Sequence, residues 1–370
     1  MELEALGWSV RWQAAWAEAG VRTGIPGRVV VEDKHAYVVS TERGTGPAVV
    51  PGKMLHRLTD RSLLPKVGDW VEVTPGEGSS RGVIHAVLPR QTRLVRKEAG
   101  RRMEEQVLAA NVDVAFVVMA LDQSFNLRRL ERFLVMAREG GVKPVVVLNK
   151  ADLSEDGGKG LAKEAKEVAR DAEVVVVSAL AGSGLRQLRS LVGKGISFAF
   201  IGTSGVGKSS LINVLYGEEI FPTLEVRESD AKGRHSTTWR ELIVLPQGGV
   251  VIDTPGMREI HMWMADQGLE EVFPDVEELA LRCHFRSCSH TVEKRCAVQE
   301  ALAEGRLERS RFDSYLKLKQ ELEQMELERR EHTFQGRRTR RPVQRPVSGR
   351  WRPGRDGEPD SGMAGAGQTV

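Results

Sequence analysis

The feature that most constrains this chain is a glycine-rich loop near its middle. Residues 202–209 read Gly-Thr-Ser-Gly-Val-Gly-Lys-Ser, a G-x-x-x-x-G-K-[ST] pattern. An apolar run, 196–201, precedes the loop, and a segment with helix-forming character, 210–215, follows it. Strand, glycine loop and helix in this order are the setting that a phosphate-binding loop requires. The glycines let backbone N–H groups surround a polyphosphate, and the helix N-terminus adds its dipole. The pattern predicts a nucleotide-binding α/β domain.

Two side chains of this loop have a chemical role of their own. Lys208 places a positive charge on the outer phosphates, and the Ser209 hydroxyl is suited to bind Mg²⁺. A glycine-rich turn that carries a lysine by chance is the alternative, and the flanking strand and helix argue against it. We expect the nucleotide to contact the loop and the residue after it, namely Gly202, Thr203, Ser204, Gly205, Val206, Gly207, Lys208, Ser209 and Ser210.

A second motif, Asn149-Lys150-Ala151-Asp152, follows the apolar run 144–148. A buried aspartate at such a strand end can accept hydrogen bonds from N1–H and the 2-amino group of guanine, whereas adenine offers neither donor. Alone, the motif is equally typical of a helix N-cap at Asp152. Beside a phosphate loop it predicts GTP as the ligand and disfavours a P-loop ATPase or kinase.

Four residues are expected to complete the base site around this aspartate. Asn149 is expected to join the base loop to the phosphate loop, and Lys150 to lay its stem along the base. Ser178 and Ala179 close the next apolar run, 173–177, and could present backbone N–H groups to the guanine O6.

A third motif, Asp253-Thr254-Pro255-Gly256, ends the apolar run 249–252. Asp253 is expected to hold Mg²⁺ through water. The Gly256 N–H is expected to contact the γ-phosphate, and hydrolysis would break this contact and release the loop. An ordinary D-x-P-G turn is the alternative.

The group that orients the attacking water does not follow the usual pattern. Many GTPases use a glutamine directly after the D-x-x-G motif, and this position holds Met257, which cannot orient water. His235, in the irregular segment 217–238, is the candidate because a neutral imidazole can accept a proton at pH 7. A loop histidine without a role is the alternative. The same segment would supply a hydroxyl to Mg²⁺ from Thr237 or Thr238, of which Thr237 is preferred.

The order of the three motifs is rotated relative to the usual GTPase, in which the phosphate loop comes first and the base loop last. Here the base motif at 149–152 precedes the phosphate loop, and 253–256 comes after both. A circular permutation preserves the sheet if the old termini lie close together. It also brings the γ-phosphate motif close to the start of the next segment, which contains all three cysteines.

That segment concentrates soft metal ligands in a short stretch: Cys283, Cys288, His290 and Cys296. Three thiolates and one imidazole make a closed tetrahedral site for structural Zn²⁺, with no open position for catalysis. His284 is a rival ligand. Buried cysteines beside an incidental histidine, or a redox switch, are the alternatives. The segment is expected to present four cations to RNA, namely Arg282, Arg286, Lys294 and Arg295.

Short β-type runs separated by Gly, Pro and charged turns occupy residues 24–87. Such a series predicts a small barrel, OB-like or SH3-like. Residues 93–102 read as a polar, basic linker, and the pattern over 302–330 is helical and charged. RNA contact and a merely solvated face are both open for the basic residues in the middle of the barrel, which are Lys53, His56, Arg57, Arg61 and Lys66.

The permuted order, the phosphate loop and three short segments resemble the RsgA/YjeQ family, the ribosome small-subunit-dependent GTPases. The segments are Gly233-Arg-His-Ser-Thr-Thr238, Ala110-Asn-Val-Asp113 and Phe125-Asn126-Leu127. The resemblance implies an N-terminal OB domain, a permuted GTPase domain and a C-terminal zinc domain with the four ligands above. It also implies GTP hydrolysis stimulated by the small (30S) ribosomal subunit, late in the maturation of that subunit. Ser236 stands where the family usually has threonine, and the hydroxyl is retained.

We therefore expect a multidomain chain with five parts. These are an extension (1–22), an OB-like RNA-binding barrel (23–100), a circularly permuted GTPase domain (101–268), a helical zinc-binding domain (269–335) and a disordered, arginine-rich tail (336–370). The expected activity is hydrolysis of GTP to GDP and phosphate by a 30S maturation factor that binds rRNA. A non-enzymatic RNA-binding module latched by GTP is the alternative.

Composition constrains the location of the protein more than its activity. Three cysteines, an odd number, favour the cytoplasm over an oxidising compartment. The acidic start is unlike a signal peptide, and no apolar run approaches the length of a bilayer span, so no membrane partner is expected. The net charge of +3 is small, and the protein is expected to be a monomer.

Overall fold

The computed structural model describes residues 2–20, 23–33, 36–57, 61–97, 105–221, 240–253 and 266–339. The chain divides into two compact units, 1–329 and 330–370. Within the second unit the described residues, 330–339, are the end of the last helix. No helix in the described ranges is both long and apolar enough to cross a bilayer.

The first part of the chain is a short helical segment followed by a closed β-barrel. A 3₁₀ turn (Leu3–Leu6) and α1 (Val10–Glu18) precede five strands, which are β1 (Ile25–Asp33), β2 (Ala36–Thr41), β3 (Gly44–Val49), β4 (Trp70–Thr74) and β5 (Gly82–Val87). Their order is β1-β2-β3-β5-β4, and β4 pairs back with β1, so the five strands close. Helix α2 (Gly52–Arg57) connects β3 to β4. The barrel predicted from the short β-type runs is confirmed.

Two stretches of this region differ from the sequence expectation. Strand β3 reads as a turn because it contains Gly44, Gly46 and Pro47, yet it is held by β2 on one side and β5 on the other. Within the predicted linker 93–102, the described residues 93–97 form a strand. This strand is β6 (Arg93–Lys97), which pairs with β7 (Glu105–Ala110) in a two-stranded sheet. Basic residues flank the two buried apolar residues of β6, Leu94 and Val95, and they hid the strand pattern.

The central domain is a parallel sheet covered on both faces by helices. Its elements are β8 (Val114–Ala120), α3 (Leu127–Glu139), β9 (Lys143–Asn149), α4 (Lys159–Ala169), β10 (Glu173–Val176), α5 (Leu185–Ser190), β11 (Ser197–Ile201), α6 (Lys208–Tyr216), β12 (Arg240–Val244) and β13 (Val250–Asp253). The strand order is β10-β9-β8-β11-β13-β12, and only β12 runs antiparallel to its neighbour. Near-continuous valine runs suit strands buried on both faces, and an apolar core lies on each side.

The barrel and the central sheet are hydrogen-bonded to each other. Strand β12 pairs with β1 in the register Val31↔Glu241 and Glu32↔Arg240. The central strands and the barrel strands therefore form one continuous eleven-stranded array. Sequence reasoning did not anticipate this pairing, because both strands read as ordinary members of their own domains.

The last part of the first unit is helical. It contains α7 (Asp266–Val272), α8 (Pro274–Ala280), α9 (Ala297–Ala303) and α10 (Arg309–Thr339). The helical pattern over 302–330 is confirmed and belongs to two helices, because Gly305, at φ +72°, lies in the turn that separates α9 from α10. Helix α10 runs to Thr339 and so passes position 336, where the tail was expected to begin.

Candidate nucleotide and metal sites

The phosphate loop lies between the end of β11 at Ile201 and the start of α6 at Lys208. Gly205 and Gly207 have φ values of +82° and +93°, which side chains other than glycine rarely adopt. A Cβ at Gly207 would lie 2.2 Å from Nδ2 of Asn149, so the loop and the base motif touch at this point. Inside the loop, Lys208 Nζ donates to the carbonyls of Gly202 (2.8 Å) and Thr203 (2.7 Å).

Asn149 holds three loops together at the carboxyl edge of the sheet. Its side chain is buried, and Nδ2 donates to the Val206 carbonyl of the phosphate loop at 2.9 Å. Its Oδ1 accepts from the Ala179 N–H at 3.1 Å. The predicted link between the base loop and the phosphate loop is therefore present. The Ala179 N–H, expected to face the base, donates to Asn149.

Asp152 lies in a 3₁₀ turn (Ala151–Leu153) directly after β9. The fully buried Ser178 donates its hydroxyl to the Asp152 carboxylate and accepts from the Ala181 N–H at 2.9 Å. Asp152 itself is exposed, in a turn just beyond the end of β9, whereas the sequence reasoning described a carboxylate buried against a guanine.

Lys150 is held by a partner that sequence reasoning missed. It has φ +64°, and its Nζ donates to Asp122 at 2.9 Å. Burial alone would raise the pKa of Asp122, but hydrogen bonds from Ser124 and Lys150 outweigh it and lower the pKa to about 2. Asp122 therefore stays ionised and fixes the lysine stem. The available signal was its place just after an apolar strand, as for Asp152 and Asp253.

Some of the remaining predicted nucleotide-site residues lie in the described part of the chain, and the others lie outside it. Ser209 and Ser210 are partly buried in the first turn of α6. Asp253 is the last residue of β13, which runs parallel to β11, so both strands end at the same edge of the sheet. A serine hydroxyl and a carboxylate at one sheet edge fit the oxygen donors that Mg²⁺ prefers. His235, Thr237 and Gly256 lie outside the described residues.

The cysteine-rich stretch folds into a compact donor set between α8 and α9. The ligand atoms of Cys283, Cys288, His290 and Cys296 all lie within 4.8 Å of one another. The sulfurs of Cys283 and Cys296 are 3.8 Å apart, and each is 3.5 Å from His290 Nδ1. Ligands about 2.3 Å (sulfur) and about 2.0 Å (nitrogen) from a tetrahedral ion stand roughly 3.6–3.8 Å apart. The set fits Zn²⁺.

Burial and backbone geometry support this donor set. Burial lowers the pKa of His290, which keeps the imidazole in the neutral form that a metal requires. His290 and Arg295 have φ values of +60° and +61°, so the chain takes two uncommon left-handed conformations to form the turn. His284, the rival ligand, is exposed, and its ring meets Phe285 edge-on at 4.8 Å outside the donor set.

Several of the cations expected to contact RNA are exposed, and one of them is already in an ion pair. Arg282, Arg286, Lys294 and Arg295 are all exposed around the donor set. On the barrel, Lys53 is exposed, whereas Lys66 forms a 2.5 Å ion pair with Glu32. The side chains of His56, Arg57 and Arg61 lie outside the described residues. Of the two such barrel cations whose side chains the structure describes, Lys66 is therefore compensated by a carboxylate.

Comparison with known proteins agrees with the geometry. The sequence profile of the family described as "RsgA GTPase" matches residues 87–263. The "Small ribosomal subunit biogenesis GTPase RsgA" of Opitutus terrae is 42% identical over 371 residues, covering 95% of this chain and 100% of that protein. The "Small ribosomal subunit biogenesis GTPase RsgA 1" of Oceanobacillus iheyensis is 42% identical over 300 residues, or 81% and 85% of the two chains.

Two solved structures share the fold. YjeQ from Thermotoga maritima is 31% identical and superposes with a TM-score of 0.59, covering 80% of this chain and 98% of its own. YloQ, described as a circularly permuted GTPase, is 26% identical with a TM-score of 0.55, covering 81% and 96%. The rotated motif order is thus confirmed as a circular permutation, and a merely latched, non-enzymatic module is disfavoured. The chain belongs to the RsgA GTPase family and is a GTP-hydrolysing enzyme with the circularly permuted GTPase fold.

Proposed function

We propose that this GTPase is activated by the small ribosomal subunit and acts late in the maturation of that subunit. The observation that carries the proposal is the share of this chain that aligns with a protein named for small-subunit biogenesis. The Opitutus terrae protein, named a small ribosomal subunit biogenesis GTPase, matches 95% of this chain. The match therefore includes the barrel and the cysteine-rich module as well as the nucleotide site.

At the nucleotide site, the roles follow from the chemistry of each group. Asp152 pairs with N1–H and the 2-amino group of guanine, and Lys150, fixed by Asp122, lies along the base. The base loop is held in a fixed position relative to the phosphate loop by the hydrogen bonds of Asn149, Ser178 and Ala179.

On the phosphate side, the loop from Gly202 to Ser210 surrounds the phosphates with N–H groups. The Lys208 ammonium, which donates to two loop carbonyls in the structure, contacts the phosphates when the nucleotide is bound. Ser209, Thr237 and Asp253 would hold Mg²⁺, which neutralises charge on the outer phosphates when bound. The Gly256 N–H contacts the γ-phosphate.

His235 is proposed to orient the attacking water, because Met257 stands where a glutamine would do so. Glu225→Ala is the control, because it changes a residue of the same segment, 217–238, that has no proposed role. His235→Ala is expected to abolish stimulated turnover and to leave GTP affinity unchanged. Unchanged stimulated turnover in His235→Ala would remove this residue from the mechanism.

The flanking parts are proposed to place the enzyme on RNA. The five-stranded closed barrel, with α2 between β3 and β4, supports an OB-like RNA-binding domain at 23–100. The donor set of the C-terminal module supports one structural Zn²⁺ in a domain at 269–335. The GTPase domain at 101–268, the extension and the arginine-rich tail complete the organisation. A cytoplasmic location and a monomeric state stay predictions.

The decisive experiment measures GTP turnover while small subunits, large subunits or free RNA are titrated. Small subunits are expected to stimulate turnover by at least about tenfold, and large subunits to have no effect. Lys208→Ala, which removes the phosphate contact, is the control for contaminating activity. Equal stimulation by large subunits, or none by small subunits, would refute the proposed partner while leaving the GTPase intact.

A further inference from the structure

A cavity with a volume of about 490 Å³ lies beside the nucleotide site. Its walls are the first two turns of α3, the phosphate-loop residue Thr203, and the first half of α10. The Thr203 carbonyl accepts from Lys208, so the cavity and the nucleotide site share a wall. None of the nucleotide roles assigned above uses the other residues of this cavity.

The cavity is lined mainly by cations and hydroxyl or amide groups. Four of its eleven lining residues are basic, and one is acidic, Asp313. Asp313 is engaged on its own helix by Arg309 at 3.1 Å. The basic residues are Arg128, Arg129, Arg132 and Lys317.

Two of these cations already have carboxylate partners. Arg128 pairs with the buried Glu131 at 3.1 Å, and Arg132 pairs with Glu321 at 2.7 Å. Their charges are therefore largely compensated. They contribute to the wall of the cavity but leave little charge for a ligand.

The other two cations face the cavity without a carboxylate. Arg129, on α3, donates through Nη1 to the Ser124 carbonyl at a long 3.4 Å. Lys317, on α10, is exposed, and neither it nor Arg129 has an ion pair within the described part of the chain. One uncompensated cation on each of two walls fits an anion between them.

We propose that this cavity binds a phosphate group of an RNA backbone, held between Arg129 and Lys317. The inference rests on the proposed function in one respect, that RNA is the partner. An extended phosphodiester suits a cavity that opens to solvent between two helices. A guanidinium and an ammonium on opposite walls match the oxygens of a single phosphate. Bound RNA would thereby touch the wall that carries Thr203.

The test uses the full-length protein saturated with GDP, so that the phosphate loop is filled. The variant Arg129→Ala/Lys317→Ala is compared with Lys163→Ala/Lys166→Ala, which removes the same charge from the exposed face of α4. Binding of a labelled, unstructured RNA 12-mer is followed by fluorescence anisotropy between 50 and 200 mM salt, where backbone contacts make affinity fall steeply (a slope of about −0.7 per contact).

The cavity variant is expected to bind RNA about tenfold more weakly, with a salt slope smaller by about 0.7, the value for one lost phosphate contact. The α4 variant is expected to stay within about twofold of the wild type. Lys317→Arg, which keeps the charge, is expected to bind normally, and this guards against a folding defect. Equal losses in the two double variants, or no loss in either, would overturn the proposal.

A second arm separates RNA from a free phosphate compound. Pyrophosphate is titrated into the GDP-saturated protein by calorimetry. If it binds the wild type but not the cavity variant, while both bind RNA equally, the RNA assignment is wrong. These measurements involve no hydrolysis and no ribosome. A lack of stimulation by the small subunit would therefore refute the proposed function, but it would not show whether the cavity binds RNA.

Discussion

The two ends of the central domain are attached to their neighbours in opposite ways. At the N-terminal junction a fully buried cation, Arg28, donates to the backbone carbonyls of Leu6, Gly68 and Asn111. At the C-terminal junction a fully buried carboxylate, Glu131, accepts from side chains. Its donors are Arg128 and Arg311, each at 3.1 Å, and Ser314.

The N-terminal junction depends on one side chain that serves three segments. Leu6 belongs to the N-terminal segment, Gly68 to the barrel and Asn111 to the end of the β6–β7 sheet. Burial lowers the pKa of Arg28 to about 10, so the guanidinium is still charged at neutral pH, with Trp70 stacked 5.3 Å away. Its charge is met by carbonyl dipoles and a ring, and no carboxylate in the described part of the chain hydrogen-bonds to it.

The C-terminal junction is a network with several routes. Arg311 also binds Asp275 through two bonds of 2.6 and 2.9 Å, donates to the Val272 carbonyl, and lies 4.6 Å from the Phe273 ring. Arg170 pairs with Asp275 at 2.8 Å. Loss of one member leaves the others partnered. We therefore expect single substitutions to weaken the N-terminal junction more than the C-terminal one.

Removal of the proposed Zn²⁺ is expected to have the largest effect, and only at the C-terminal side. Cys288 and Cys296 belong to the same apolar core as Phe273 and Tyr315, and the segment between α8 and α9 is too short to form its own core. Treatment with a chelator, or Cys296→Ser, should open residues 281–303 to proteases and leave the barrel resistant. Limited proteolysis with mass spectrometry measures this.

His284→Ala is the matched control for metal removal, because this histidine lies outside the donor set. It should retain one zinc per chain and a wild-type digestion pattern. If metal-free protein resists proteases as well as the zinc-loaded form, the C-terminal junction does not depend on Zn²⁺.

Arg28→Met should have the next largest effect, about 3–5 kcal/mol of the free energy of unfolding, because three buried carbonyls lose their donor. Urea denaturation followed by tryptophan fluorescence reports on it, since Trp8 and Trp70 stack 4.7 Å apart at this junction. Arg81→Met, on an exposed barrel loop, is the control. A cost below about 1 kcal/mol would mean that water replaces the guanidinium.

Glu131→Gln should cost less, about 2 kcal/mol, because Arg311 keeps Asp275 when the buried carboxylate is neutralised. Thermal unfolding is compared with that of Glu164→Gln, an exposed glutamate on α4. If Glu131→Gln proves as costly as Arg28→Met, the two junctions do not differ in redundancy.

Acid should weaken the C-terminal junction selectively. Burial would raise the pKa of Asp275, but Arg311 and Arg170 outweigh it and hold this pKa below its usual range. Such a carboxylate stabilises the fold above its unfolded pKa, near 4, and the stabilisation is lost as pH falls through the lower folded value. The stability difference between the wild type and Asp275→Asn should be about 1 kcal/mol at pH 7 and should shrink progressively as the pH falls below about 4. A constant difference would contradict the assignment.

The smallest effects are expected for the half-exposed ion pairs at the edges of both junctions. Arg11 pairs with Asp113 at 2.7 Å, and Arg132 pairs with Glu321 at the same distance. Arg11→Ala and Arg132→Ala should each cost about 0.2–1 kcal/mol, as exposed pairs do. Denaturant titration of the two variants side by side tests this. A loss of more than about 2 kcal/mol in the free energy of unfolding for either variant would mean that its ion pair is an essential part of the junction.

Local sequence was sufficient to predict the nucleotide loops, the rotated order and the four residues that the structure brings together as a metal donor set. Each of these depends on residues close together in the chain, whose chemistry demands a definite spacing: glycines at positive φ around phosphates, or thiolates around one ion. For the same reason the parallel sheet was predictable, since its valine runs are buried whatever their neighbours are.

The junctions and the cavity could be decided only by the tertiary structure. Arg28 meets Asn111 across 83 residues, and Ser314 meets Glu131 across 183 residues. Nothing near Arg28 in the chain distinguishes it from a surface arginine of a strand, and Glu131 reads as the polar face of α3. Burial of a charge depends on which distant groups fold over it, and spacing along the chain does not encode that.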